Sequence, residues 1–152
     1  MLEVAPCRAD DVRTAPNFAA LKEEYAAECA IREIPWPQVS WQTYHSLEQA
    51  GVLHVYAARV DQRLVGFVVL ITSQSAEYGV PLTCTEAFFV AQASRATGAG
   101  LKLLAAAEAR ARALGSPGLA INAPLGGRLA DLLPKCGFRE VGRCFFKGFA
   151  DA

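Results

Sequence analysis

The sequence predicts a single α/β (α+β) domain: a mixed, mostly antiparallel sheet of roughly six to seven strands, flanked by about four helices. Three observations predict it. Between residues 52 and 90, three runs rich in β-branched and aromatic residues follow one another with polar breaks between them, the pattern of consecutive antiparallel strands. Further on, Gly100, Leu103, Leu104, Ala107, Ala111 and Leu114 recur at helical spacing. Finally, 152 residues with no internal repeat and no Gly/Ser-rich linker make one domain spanning 1–152.

The elements follow in order. A short apolar stretch at 2–5 opens the chain. Residues 17–31 carry Phe18, Leu21, Tyr25 and Cys29 at intervals of three and four, with Lys22, Glu23, Glu24 and Glu28 between them, which is an amphipathic helix that Asn17 can cap. The Ile34-Pro35-Trp36-Pro37 run ends it. A second helix is expected over 38–50, stopped by Gly51 in a left-handed conformation. Strands over 52–60 and 64–72 form a hairpin across Asp61-Gln62-Arg63, and a loop with Gly79 and Pro81 leads to a strand over 82–90. Strict alternation on that strand puts Cys84, Glu86, Phe88 and Val90 on one face. The helix over 100–114 turns Lys102 and Arg112 outward and spaces Glu108 to pair with Arg112. Gly115-Ser116-Pro117-Gly118 stops it, and 119–123 reads as a buried strand. Leu129, Leu132, Leu133 and Cys136 mark a short helix whose last turn Pro134 weakens by removing a backbone donor. Two terminal strands are expected near 138–142 and 144–149.

Composition excludes several function classes. Lys plus Arg number 15 and Asp plus Glu number 15, so no net field attracts nucleic acid or an anionic membrane. The longest apolar run, 64–71, is eight residues against the ~20 of a bilayer-spanning helix. Five scattered cysteines (Cys7, Cys29, Cys84, Cys136, Cys144) form no CxxC pair, and His45 and His54 stand nine residues apart, so neither a disulfide framework nor a metal cluster is spelled out. Buried, reduced thiols in a cytoplasmic protein without a metal are the expectation.

The chemistry is carried by Val90-Ala91-Gln92-Ala93-Ser94-Arg95-Ala96-Thr97-Gly98-Ala99-Gly100-Leu101, a strand that runs through a small-residue loop into a helix. A helix N-terminus has unpaired N–H groups and a partial positive charge, hence an affinity for phosphate. Gly98 and Gly100 have no Cβ to hold a diphosphate away from those donors. Thr97 adds a small hydroxyl, and Arg95 either supplies a cation or braces the loop. No Gly-Lys-Ser/Thr follows, so this is not a Walker loop, and two glycines after an antiparallel strand are not a dinucleotide fingerprint.

These residues resemble the GNAT superfamily of acyl-CoA-dependent N-acyltransferases, whose cofactor loop reads Arg/Gln-x-x-Gly-x-Gly/Ala and begins five residues after a strand-ending valine. Arg95, Gly98, Gly100 and the distance from Val90 match. So do Leu103-Leu104 and Glu108, the Lys135-Cys136-Gly137-Phe138 turn and the Leu64-Val65-Gly66 strand opening. The resemblance runs from about residue 52 to the C-terminus.

It implies a sheet splayed between the fourth and fifth strands, with the pantetheine arm of acetyl-CoA bonded by backbone around Phe88, Phe89 and Val90. The amides of Arg95, Ala96, Thr97, Gly98, Ala99 and Gly100 would hold the pyrophosphate, and the Val90 N–H would polarise the thioester carbonyl. The acetyl group would pass directly to a primary amine, either a small molecule or a peptide, with Glu86 as the base; a Glu facing solvent or pairing with a neighbour is the other reading of that residue. Leu133 stands where many members have the tyrosine that protonates the leaving thiolate, and Gly126 where an asparagine is common. Cys136, Ser94 and Tyr44 are the substitutes considered. That departure keeps a second expectation alive, an acyl-CoA-binding or sensing module with little turnover. In the family the first helices line the acceptor cleft, so Trp36, Trp41, Tyr44 and His45 either clamp a ligand or anchor those helices. Glu24, Glu28 and Glu33 either attract an amine or form a solvated face. A homodimer exchanging terminal strands is a further implication.

Overall fold

A computed structural model of the chain describes residues 1–34 and 39–149. The expected Pro35-Trp36-Pro37 break, the start of the second helix at Gln38 and any role of Trp36 lie outside the described residues. The fold class is as predicted: one mixed sheet with helices on both faces.

The sheet has five strands in the order β1-β2-β3-β4-β5: β1 (Leu2–Cys7), β2 (Leu53–Val60), β3 (Arg63–Gln74), β4 (Pro81–Val90) and β5 (Leu119–Ala120). β1 to β4 pair antiparallel, and β5 joins β4 in parallel through only two pairs, Thr83 with Leu119 and Cys84 with Ala120. The β2–β3 turn carries Asp61 and Gln62 at φ 48° and 69°, the positive-φ geometry that a tight hairpin requires.

Helices α1 (Ala9–Arg13), α2 (Phe18–Cys29) and α3 (Trp41–Gln49) cover one face, where Ala9, Val12 and Leu21 pack on Leu53, Val55, Phe67, Val69 and Phe89. Helix α4 (Ala99–Ala113) covers the other, with Ala99, Leu103 and Ala107 against Ala58, Val68, Leu70 and Val90. The helical period read from the sequence for α4 is the one it buries. Glu108 and Arg112 make no ion pair; Arg110 instead meets His54 Nδ1 at 3.3 Å. Asn17 stands at the N-cap of α2 but caps nothing: its amide donates to the Leu64 carbonyl at 2.7 Å and ties the helix to β3.

Three expectations are corrected. The strand read over 119–123 stops at Ala120, because the next bond to β4 leaves the backbone ladder: Asn122 N–H donates to the Thr85 side chain, at Oγ1, at 3.2 Å. The two terminal strands near 138–142 and 144–149 are not formed: a two-residue β5 offers almost no edge to build on, and Val141, Phe145 and Phe149 stay exposed. The terminal strands on which strand exchange between two copies would depend are therefore missing from the described residues. Helix α1 is an element that the sequence reading did not contain. Pro134 acts as expected, for α5 (Arg128–Leu132) passes into a 3-10 turn over Leu133–Cys136 that ends at Gly137 with φ 88°.

Candidate active site

The site is built on the open edge of β4. Pairing with β5 ends at Cys84, and Asn122 bonds Thr85; beyond that point no strand covers the edge among the described residues. The splay expected between the fourth and fifth strands is thus present. Ala91 N–H donates to the Val65 carbonyl at 2.8 Å, so Ala91 faces β3 and its neighbour Val90 does not. By the same alternation the peptide groups of Phe88 and Val90 point off the open edge, whereas Phe89 belongs to the β3 ladder opposite Phe67 and buries its ring. Gly66 makes room for this strand: a Cβ there would sit 2.7 Å from the Phe89 carbonyl oxygen.

A β-bulge decides where Glu86 goes. Val69 pairs with Ala87 but Leu70 pairs with Thr85, leaving Glu86 as the extra residue. Strict alternation therefore fails. Phe88 and Val90 pack toward α4, while Glu86 and Ala87 line a cavity under α2 and α3. The expected common face of Cys84, Glu86, Phe88 and Val90 is corrected accordingly. Glu86 is exposed to this cavity, with Tyr25 and Tyr44 close enough for its charge to help push both phenols upward, after burial as the main cause. Tyr25 reaches about 12.

After Val90 the chain forms a 3-10 turn over Gln92–Thr97, then Gly98 at φ 84°, then α4. Arg95 braces this loop. Its Nε donates to the Val90 carbonyl at 3.0 Å, its Nη2 donates to both carboxylate oxygens of Glu28 at 2.7 and 2.6 Å, and its guanidinium lies 5.6 Å from the centroid of Phe89. Glu24 accepts the Gln92 N–H at 3.1 Å, so two of the acids on α2 hold the loop rather than face an acceptor. Thr97 donates its hydroxyl to the Ser94 carbonyl at 2.6 Å and accepts the Ala99 N–H at 3.3 Å. Ala99 is fully buried, and Ala96 and Thr97 are exposed.

The two glycines differ. The positive φ of Gly98 accounts for glycine there. Gly100 has an ordinary helical backbone, and a Cβ on it would meet only Val90 Cγ2, at 3.9 Å. Packing gives no reason for glycine at 100, so the space above the first turn of α4 is clear of side chain there, while the Ala99 amide is taken by Thr97 Oγ1.

The family model described as "Acetyltransferase (GNAT) family" matches residues 18–138. The chain belongs to the GNAT acetyltransferase family. It is an enzyme of the acyltransferase class, in a family that uses acetyl-CoA. No protein of curated function matches it significantly. Among solved structures it is similar to a ribosomal-protein-alanine N-acetyltransferase from Brucella melitensis biovar Abortus 2308, at 20% identity and a TM-score of 0.72 over 99% of this chain and 100% of the other. It is also similar to an aminoglycoside acetyltransferase from an uncultured soil metagenomic sample in complex with sisomicin, at 17% identity and 0.71 over 97% and 96%. A transcriptional regulator from Bacillus halodurans C-125 matches at 15% identity and 0.75 over 98% and 100%. At these identities the likeness is one of fold.

The remaining candidates divide between anchoring and lining. His45 Nε2 hydrogen-bonds Asp10 Oδ1 at 2.9 Å and anchors α3 to α1. Trp41 and Tyr44 line the cavity, their ring centroids 5.5 Å apart. Leu133, in the position of the family's tyrosine, is buried at 8% exposure. Tyr25 is the residue that the sequence reading missed: its helical spacing marked it as core, which it is in part, and only the bulge at Glu86 brings it to the site. No helix of the described residues is long and apolar enough to cross a membrane.

Proposed function

We propose that the chain is an N-acetyltransferase that moves an acetyl group from acetyl-CoA directly to a primary amine. One observation carries the reading: the open edge of β4 leads straight to a helix start at which Gly100 has no packing reason to be glycine. The residues fit the donor. The amides of Gly98 and Gly100 would hold its pyrophosphate, with Arg95, Ala96, Thr97 and Ala99, whose amide bonds Thr97 Oγ1, shaping the turn, and the off-edge peptide group of Phe88 and the N–H of Val90 would bond the pantetheine arm. When bound, the thioester supplies an activated acetyl carbonyl.

Val90 N–H donates toward the carbonyl oxygen as charge develops there. An alkylammonium has a pKa near ~10, so Glu86 takes one proton from it, directly or through water, before attack. The nitrogen–carbon bond then forms and the carbon–sulfur bond breaks. Sulfur leaves with the electron pair, and the second nitrogen proton passes through solvent to the thiolate. Tyr44 lines the same cavity as Glu86, and burial raises its phenol, so it carries a proton that Leu133 lacks. Five unpaired thiols support a reducing, cytoplasmic setting.

A second reading is favoured by Leu133: the buried leucine supplies no proton, which suits an acyl-CoA-binding module of low turnover. Thiol release from acetyl-CoA against an amine panel separates the two. Turnover that drops about 100-fold or more in Glu86→Gln supports the transferase. Tight binding of coenzyme A by calorimetry, with no turnover on any amine, supports the module.

A further inference from the structure

The cavity that Glu86 lines says more about the acceptor than the family does. It measures about 130 Å³. An apolar cavity of ~150 Å³ takes one benzene ring, so this one admits a single ring or a short alkyl chain. Its walls are aromatic: Phe18, Tyr25, Trp41, Tyr44 and Phe67 all face it, with Phe18–Trp41 and Tyr25–Phe67 centroids 5.7 and 6.1 Å apart. Rings already packed on one another reorganise little on binding, and their faces attract an ammonium.

The charges are few. Among the described lining residues Glu86 is the single carboxylate and Lys22 the single cation, so these residues carry no net charge for a polycation to neutralise. Arg13 lies 5.5 Å from the centroid of the Trp41 ring with its charge paired to Asp10 at 2.7 Å, so it adds no net charge beside the wall. Tyr25 and Tyr44, both with raised pKa values, contribute neutral phenols. Position links this cavity to the donor, because Glu86 and Ala87 line it and also begin the uncovered edge of β4.

Resting on the transferase reading above, we infer that the acceptor is a small primary monoamine on an apolar stem the size of one ring or a short alkyl chain, its nitrogen on Glu86 and its stem in the aromatic cage. A polyhydroxylated, polycationic sugar or a peptide N-terminus offers charges and bulk that this wall cannot match.

The test uses the full chain saturated with coenzyme A for binding and acetyl-CoA for turnover, with benzylamine, butylamine, phenylglycine, spermidine, neamine and an Ala-Gly-Gly peptide. Binding is read by NMR line broadening and ring-current shifts, independently of turnover. Benzylamine and butylamine should bind, and their kcat/KM should exceed that of the other four by about ten-fold or more, the worth of a cation–aromatic contact plus a desolvated stem. In Tyr44→Leu, with circular dichroism confirming the fold, KM for benzylamine should rise about ten-fold while coenzyme A affinity holds. Preference for neamine, spermidine, the peptide or phenylglycine overturns the inference and leaves the transferase standing. Thiol release from no amine overturns the transferase and, with it, the acceptor assignment. Absence of benzylamine and butylamine binding overturns it in every case.

Discussion

At the scale of single residues, the two glycines of the loop make opposite predictions because they are glycine for different reasons. Gly98 sits at φ 84°, where an L-residue costs roughly 1–2 kcal/mol, so Gly98→Ala should lower stability and cofactor affinity together. Gly100 has helical backbone with open space above it, and alanine is favoured over glycine in a helix by up to about 1 kcal/mol. Gly100→Ala should therefore melt at the same temperature or higher while calorimetry shows coenzyme A affinity down about ten-fold, roughly 1.4 kcal/mol. A variant with unchanged affinity would sink the assignment of the loop to a diphosphate. Stability and binding move in opposite directions here, which a purely structural glycine would not allow.

At the scale of elements, much was legible. The period of α4, the β2–β3 hairpin, the strand leading into the loop and the spacing from Val90 to Gly100 are local patterns that local physics obeys. What escaped is non-local. A bulge leaves no periodic trace, so Glu86 was assigned to the face of Phe88 and Val90 although pairing with β3 pushes it to the other. The terminal strands had strand-like composition but lacked a neighbour, since β5 ends after two residues. Arg95 was legible as either cation or brace, and Glu28, 67 positions away, decides for the brace. Arg95→Lys loses the paired geometry and the bond to Val90, and it should weaken coenzyme A binding severalfold. Its cost in stability should stay near ~1 kcal/mol, because side chains 23% and 40% exposed are screened by water. Gly66→Ala tests the seating of β4 on β3: a Cβ 2.7 Å from backbone oxygen cannot be relieved by a rotamer change, so a loss of roughly 1–3 kcal/mol is expected, seen as a lower melting temperature.

At the scale of the whole molecule, the layer under α1 to α3 is the one that alkali should loosen. Burial pushes Cys7 from 9.0 up to about 11 and Tyr25 from 10.0 up to about 12, and raises Tyr44, Cys29 and Cys84 as well. Cys7, Tyr25 and Tyr44 pack on the side of α1 to α3, the proposed acceptor face. A group that holds its proton more tightly when folded contributes stability that is complete below its unfolded pKa and is lost as pH rises through its folded one. Stability should therefore be level up to about pH 9 and fall between 9 and 12, the window set by Cys7 and Tyr25. Thermal melts at pH 7, 9 and 10.5 would show the decline, and Tyr25→Phe should flatten the part of it above pH 10. Because Cys7, Tyr25 and Tyr44 share one layer, Trp41, which packs among them on α3, should report the loosening by fluorescence before the helical signal is lost. Fluorescence and circular dichroism falling together, with no change of slope in Tyr25→Phe, would mean that both faces open as one unit and that the acceptor layer has no separate stability.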